Sequence, residues 1–166
     1  MIRPILVLAT AVAAALLVLT TTGCGGDDND APRPAGADAA TIDVAKGDLG
    51  SILVDSQGRT LYLFRRDSGT KSACTGACAI DWPPLRATGK PTAGGGATAS
   101  ILAASARSDG KPQITYNGHP LYLFSGDQKP GDTNGEGVNA FGGLWYALSS
   151  AGNQVVGSAP NPAIGY

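Results

Sequence analysis

Two cysteines four residues apart, Cys74 and Cys78, and the chain's one histidine, His119, are the side chains whose types allow the sharpest chemistry. Outside the reducing cytosol such thiols usually pair. A helical turn over Cys74 to Ala79, rising about 1.5 Å per residue, puts the two Cα atoms about 6 Å apart, within bridging reach. A bridge closing so short a loop contributes about 2 kcal/mol on the chain-entropy account. Reduced, the same thiols could cycle as a redox pair, or join an imidazole around a soft ion such as Cu(I). A structural disulfide with no cofactor is the expected reading. A copper site at Cys74, Cys78 and His119 stays open beside it, because spacing does not show whether the imidazole reaches the sulfurs.

A second constellation occurs twice. Residues Gly58 to Asp67 (GRTLYLFRRD) match Gly118 to Asp127 (GHPLYLFSGD) at a constant offset of 60, with six identities. Tyr62, Phe64 and Asp67 therefore recur as Tyr122, Phe124 and Asp127. A phenol near a carboxylate could share a proton or bind a ligand. An Asp three residues past the last aromatic of a strand is also well placed to accept backbone N–H groups in the following turn. The structural role is the expected one, copied with the repeat.

Other chemistries fail on residue types. Blue copper needs two histidines and usually a methionine, whereas the chain has one His and only Met1. A Cys₂His₂ zinc site fails on the same histidine, and no C-x-x-C-H haem attachment sequence occurs. His119 sits beside the turn Asn117-Gly118, and no nucleophile-elbow sequence offers it a serine. Asp132 to Gly137 (DTNGEG) opens like a calcium loop, but the twelfth position, which needs a bidentate acid, is Gly143. No complete catalytic constellation is present, so no enzyme is expected.

The elements that must position these residues read as strands and turns. Clusters drawn from 24 Gly and 11 Pro punctuate the chain every ten or so residues. Each copy of the repeat reads as a hairpin: Ser51 to Asp55 before Thr60 to Phe64, then Gln113 to Tyr116 before a strong type I′ signal at Asn117-Gly118. In Leu-Tyr-Leu-Phe the leucines face one way and the aromatics the other, so both faces should be covered. A tryptophan follows each hairpin, Trp82 and Trp145. Further strands are expected at Ile42 to Ala45, Ile101 to Arg107, Leu144 to Ser149 and Gln154 to Val156. Alanine's helix propensity competes over Ala97 to Ala106, where a strand is favoured. The expected fold is all-β with little helix, a small sandwich or barrel of two duplicated hairpin units at about 50–85 and 110–148 within a domain over 41–166.

The first 40 residues belong to export. Arg3 and the apolar run Ile5 to Leu19 form a signal peptide over 1–23, too short to span a membrane comfortably. Thr20-Thr21-Thr22-Gly23-Cys24 resembles a relaxed lipobox, which makes Cys24 the lipidation site and accounts for an odd number of cysteines. Two or more acyl chains give stable anchoring to a bilayer. Residues 24–40, rich in Gly, Pro and Asp, read as the lipidated Cys and a flexible tether. The net charge of −1 leaves no footprint for nucleic acid.

The motif Tyr62-Leu63-Phe64-Arg65-Arg66-Asp67, repeated at Tyr122 to Asp127, resembles the Y-x-[FWY]-x-x-D signature of the secreted-repeat lipoproteins. The resemblance extends to Cys74 through Leu85 and to Phe141-Gly142-Gly143-Leu144-Trp145-Tyr146, nearly the whole domain. That family is described as of unknown function, so the resemblance implies location and architecture and carries over no catalytic residue. The expectation is an extracytoplasmic lipoprotein anchored to a cell-envelope membrane. It would serve as a non-enzymatic binding or structural module for an unknown envelope protein or small ligand, with a redox or copper-handling accessory role as the alternative.

Overall fold

The computed structural model describes residues 40–86 and 89–155. The expected leader, Cys24, nearly all of the expected tether and Val156 lie outside them.

Each repeat begins with an antiparallel hairpin. In the first, β1 (Thr41–Gly47) pairs with β2 (Gly50–Asp55), Val44 opposite Leu53, and the turn uses Gly50 at φ 84°. In the second, β5 (Leu102–Ala106) pairs with β6 (Pro112–Tyr116), Ala104 opposite Ile114. The Asn117-Gly118 turn then returns β6 onto β7 (His119–Pro120), with φ 49° and 79° at its two central residues. Those positive angles are what a type I′ turn demands and what Asn-Gly tolerates. The alanine-rich stretch divides between both tendencies: Ala99–Ile101 forms one 3₁₀ turn and the residues after it form β5.

The signature strand β3 (Tyr62–Phe64) lies antiparallel to β9 (Gly143–Ala147), the tryptophan-bearing strand of the other repeat, with Phe64 opposite Trp145. The reverse exchange is also made. Tyr122 lies opposite Pro84, and Leu85 N–H and Ser125 N–H donate to Leu121 O and Asp81 O at 2.8 and 2.9 Å. The equivalent bonds in the first half are Leu148 N–H to Leu61 O and Arg65 N–H to Leu144 O, at 3.2 and 3.0 Å. Each repeat thus gives its tryptophan segment to the signature strand of the other. Between the two signature strands, Tyr62 N–H donates to Tyr122 O at 2.9 Å and Tyr122 N–H to Tyr62 O at 3.0 Å. A pseudo-two-fold axis passes between these two residues.

Two short strands complete the sheets. β4 (Thr92–Ala93) runs parallel to β1, and β8 (Asn139–Ala140) pairs with β9. The sheets are β2-β1-β4, β3-β9-β8 and β5-β6-β7, joined by single bridges such as Val54 to Thr60 and Arg86 to Gln113. The four-residue α1 (Cys78–Asp81) and the 3₁₀ turn are the helical pieces among the described residues, so the fold is all-β with little helix. The alternation in Leu-Tyr-Leu-Phe sorts the core into two clusters. Leu61, Leu63 and Leu121 join Ile42, Leu53, Ile114 and Leu148 on one side. Tyr62, Phe64, Tyr122 and Phe124 join both tryptophans and the cysteines on the other. At the C-terminal side, Gln154 bridges Leu148 and Val155 N–H donates to Ala147 O at 3.0 Å.

Candidate functional site

The signature residues converge at the pseudo-two-fold axis with their partners exchanged. The Tyr62 hydroxyl donates to Asp127 Oδ2 at 2.7 Å, and the Tyr122 hydroxyl lies 2.9 Å from Asp67 Oδ2 and 2.7 Å from Ser72 Oγ. Each aspartate's other oxygen accepts a backbone N–H of its own loop: Asp67 Oδ1 from Ala73 at 2.8 Å, Asp127 Oδ1 from Asn134 at 2.9 Å. One oxygen orders the turn and the other holds the opposite repeat. Both phenols are fully buried, and burial first, then the facing carboxylate, holds them well above the usual tyrosine value. Burial likewise raises Asp127 and pushes Asp67 up to about 6, against the opposing pull of its Ala73 and Tyr122 hydrogen bonds.

Around these pairs the aromatic rings form a continuous column. Trp82 and Trp145, one from each repeat, stack with centroids 3.9 Å apart and planes 6° from parallel. Phe64 covers Trp145 at 4.0 Å and Phe124 covers Trp82 at 4.3 Å, each phenylalanine serving the other repeat's indole. Tyr62 meets Trp82 edge-on at 5.5 Å and Tyr122 meets Trp145 edge-on at 5.1 Å. Such contacts contribute about 0.5–1.5 kcal/mol each beyond the area they bury. Gly135 is needed where the chain crosses this column, since a Cβ there would lie 2.8 Å from Tyr62 Cζ and 3.0 Å from Trp82 Cη2. Trp145 Nε1 donates to Ala140 O at 3.3 Å, while Trp82 Nε1 meets no acceptor among the described residues.

Cys74 and Cys78 form a disulfide with a Cα–Cα distance of 5.3 Å. Both belong to the cluster that contains Trp82, whose backbone N–H donates to Cys78 O at 2.8 Å. With each sulfur bonded to the other, neither presents a thiolate to a metal. His119 lies on β7, half-buried, and burial followed by the positive charge of Arg65 keeps its pKa below the ordinary value. Among the described residues no three His, Cys, Asp or Glu side chains gather into a group able to hold a metal ion. Asp132, from the calcium-like stretch, uses Oδ2 to accept the N–H groups of Gln128 and Lys129.

Three polar residues here escaped the reading of the sequence. Arg107, 8% exposed, donates from Nη1 to Ser72 Oγ at 2.6 Å and Gln113 Oε1 at 2.7 Å, and from Nη2 to Cys74 O at 2.6 Å. A buried cation of the second repeat therefore ties down the disulfide loop of the first and continues through Ser72 to Tyr122 and Asp67. The available signal was the Asp109-Gly110 turn, which brings Arg107, just past the end of β5, back toward Gln113 on β6. Nothing in the sequence pointed to Ser72. Away from this centre, a shallow hollow near the β1–β2 hairpin is lined by Lys46, Asp48, Leu49, Ile52, Val54 and Thr133.

Fold and centre together define a tandem protein in which two copies of one β unit complete each other. The family described as a secreted repeat of unknown function, Lipoprotein_15, matches residues 43–86 and 103–149, and the chain belongs to it. The two matched segments each begin inside the first strand of a repeat, β1 and β5. No curated protein and no solved structure matches the chain.

Proposed function

We propose that this secreted domain works as a non-enzymatic module of the cell envelope, held at a membrane surface by lipid on Cys24 and presenting a rigid β surface to a partner. The carrying observation is the use made of the signature: both tyrosine–aspartate pairs join one repeat to the other. Groups so engaged serve integrity, which agrees with a scaffold better than with turnover. The anchoring half rests on the lipobox-like Thr22-Gly23-Cys24 and the Gly-, Pro- and Asp-rich segment after it.

Growth of the expressing cells with a labelled fatty acid tests the anchor. Wild-type chain is expected to take up label and sediment with membranes, and Cys24→Ala to lose the label and appear in the soluble fraction. Unlabelled, soluble wild type would remove the anchor from the reading. Turnover of any substrate in a broad hydrolase and oxidoreductase screen would remove the non-enzymatic part.

A further inference from the structure

An aromatic core has no need of carboxylates. Phenylalanine at positions 62 and 122 would fill the same space, and burying a phenol and a carboxylate together carries a desolvation cost that two rings would not. Yet the combination occurs twice, each time at the edge of a stacked indole pair. The arrangement suits one-electron chemistry. Face-to-face indoles 3.9 Å apart share a positive hole between them, and the phenylalanines over their outer faces keep water from attacking it. Neither indole N–H faces a base: Trp145 Nε1 donates to the Ala140 carbonyl and Trp82 Nε1 meets no acceptor among the described residues. The nearest ring with a base attached is a tyrosine.

We propose that Trp82, Trp145, Tyr62 and Tyr122 form a one-electron oxidation relay, with Asp127 and Asp67 as the proton acceptors. The relay consumes small one-electron oxidants, such as oxidising radicals outside the cytoplasm, stoichiometrically and without turnover, so it stands beside the non-enzymatic reading. An oxidant takes one electron from the indole pair and leaves as its reduced form. An electron from Tyr62 or Tyr122 refills the indole, the phenolic O–H bond breaks, and the proton forms an O–H bond to Asp127 Oδ2 or Asp67 Oδ2 at the hydrogen-bond distances already made. The product is a buried tyrosyl radical beside a neutral carboxyl group, with atoms and charge balanced. Asp67 and Asp127 are partly exposed, so that proton can exchange with solvent. The inference goes beyond the module reading and does not depend on the anchor.

Flash oxidation of the full chain in detergent by a photogenerated ruthenium(III) tris-bipyridine complex tests it, with transient absorption following both radicals. The tryptophanyl signal is expected to decay as the tyrosyl signal grows, at a rate independent of protein concentration and slower in heavy water. Asp67→Asn combined with Asp127→Asn should slow that conversion by about 10²-fold or more. Tyr62→Phe with Tyr122→Phe should abolish it, and Tyr146→Phe should leave it intact. Absence of tyrosyl radical in the wild type, conversion only on encounter between molecules, an unchanged rate in heavy water, or loss of the signal in Tyr146→Phe would each overturn the relay. The heavy-water arm uses wild type alone, so the test survives a variant that fails to fold.

Discussion

Asp67 and Asp127 occupy equivalent positions, but their tyrosines have different neighbours. The Tyr122 hydroxyl has Ser72 Oγ at 2.7 Å as a second partner, whereas Tyr62 receives the Gly135 N–H at 3.3 Å and depends on Asp127 to accept its proton. An asparagine at 67 can donate to Tyr122 while that phenol donates to Ser72. An asparagine at 127 leaves a buried donor unmet, a cost of about 1–3 kcal/mol. Titration adds a sign. A carboxyl raised from 3.8 to about 6 by burial binds more protons in the folded than in the unfolded chain across that window. The contribution of Asp67 to stability is therefore full below the unfolded value and is lost as pH rises through the folded one. Thermal melts as a function of pH should show wild-type stability falling across this window, a flatter profile in Asp67→Asn, and a larger drop at neutral pH in Asp127→Asn. Equal losses in the two variants would contradict the role given to Ser72 as the second partner of Tyr122. The repeated Tyr and Asp were legible in the sequence, as was the use of each aspartate for its own loop. The exchange was not, because an offset of 60 residues says which positions correspond and is silent on which copy bonds which.

The disulfide loop shows how one element draws strength from another. Its covalent closure spans four residues, and its carbonyl at Cys74 is held by Arg107 from the other repeat. Reduction should lower the unfolding free energy by about 2 kcal/mol, read as a shift in the denaturant midpoint with and without a thiol reductant. An unchanged midpoint would mean that Arg107 alone fixes the loop. Local rules served well where one physical preference dominates. Asn-Gly gave its turn because both central angles are positive, whereas the helical turn expected over Cys74 to Ala79 does not form: α1 begins only at Cys78, and a turn with Gly76 at φ 58° brings the cysteines within bridging reach instead. Over Ala99 to Ala106 two preferences nearly balance, and pairing with β6 decides for strand from Leu102 onward.

The molecule as a whole is closed by strand exchange, which no local pattern announces. All-β character was legible from the turn spacing. The choice between sandwich and barrel was not, since three small sheets meet through single bridges that depend on the exchange. A repeat without its partner would leave its signature strand unpaired and half of the aromatic column missing. Fragments 41–88 and 89–155, produced separately, should therefore show no cooperative melt alone. Mixed with the disulfide intact, they should sediment as a one-to-one complex with the dispersed amide spectrum of the whole domain. A cooperative melt from either fragment by itself would contradict the mutual dependence. In the intact chain the connector replaces that encounter with a high effective concentration. The paired indoles have a further consequence. Chromophores 3.9 Å apart and 6° from parallel, one from each half, do not absorb as independent units. Their transitions couple into an exciton pair, so union of the two repeats carries a near-ultraviolet signature that neither half possesses, and spectroscopy can watch the repeats meet without an added label.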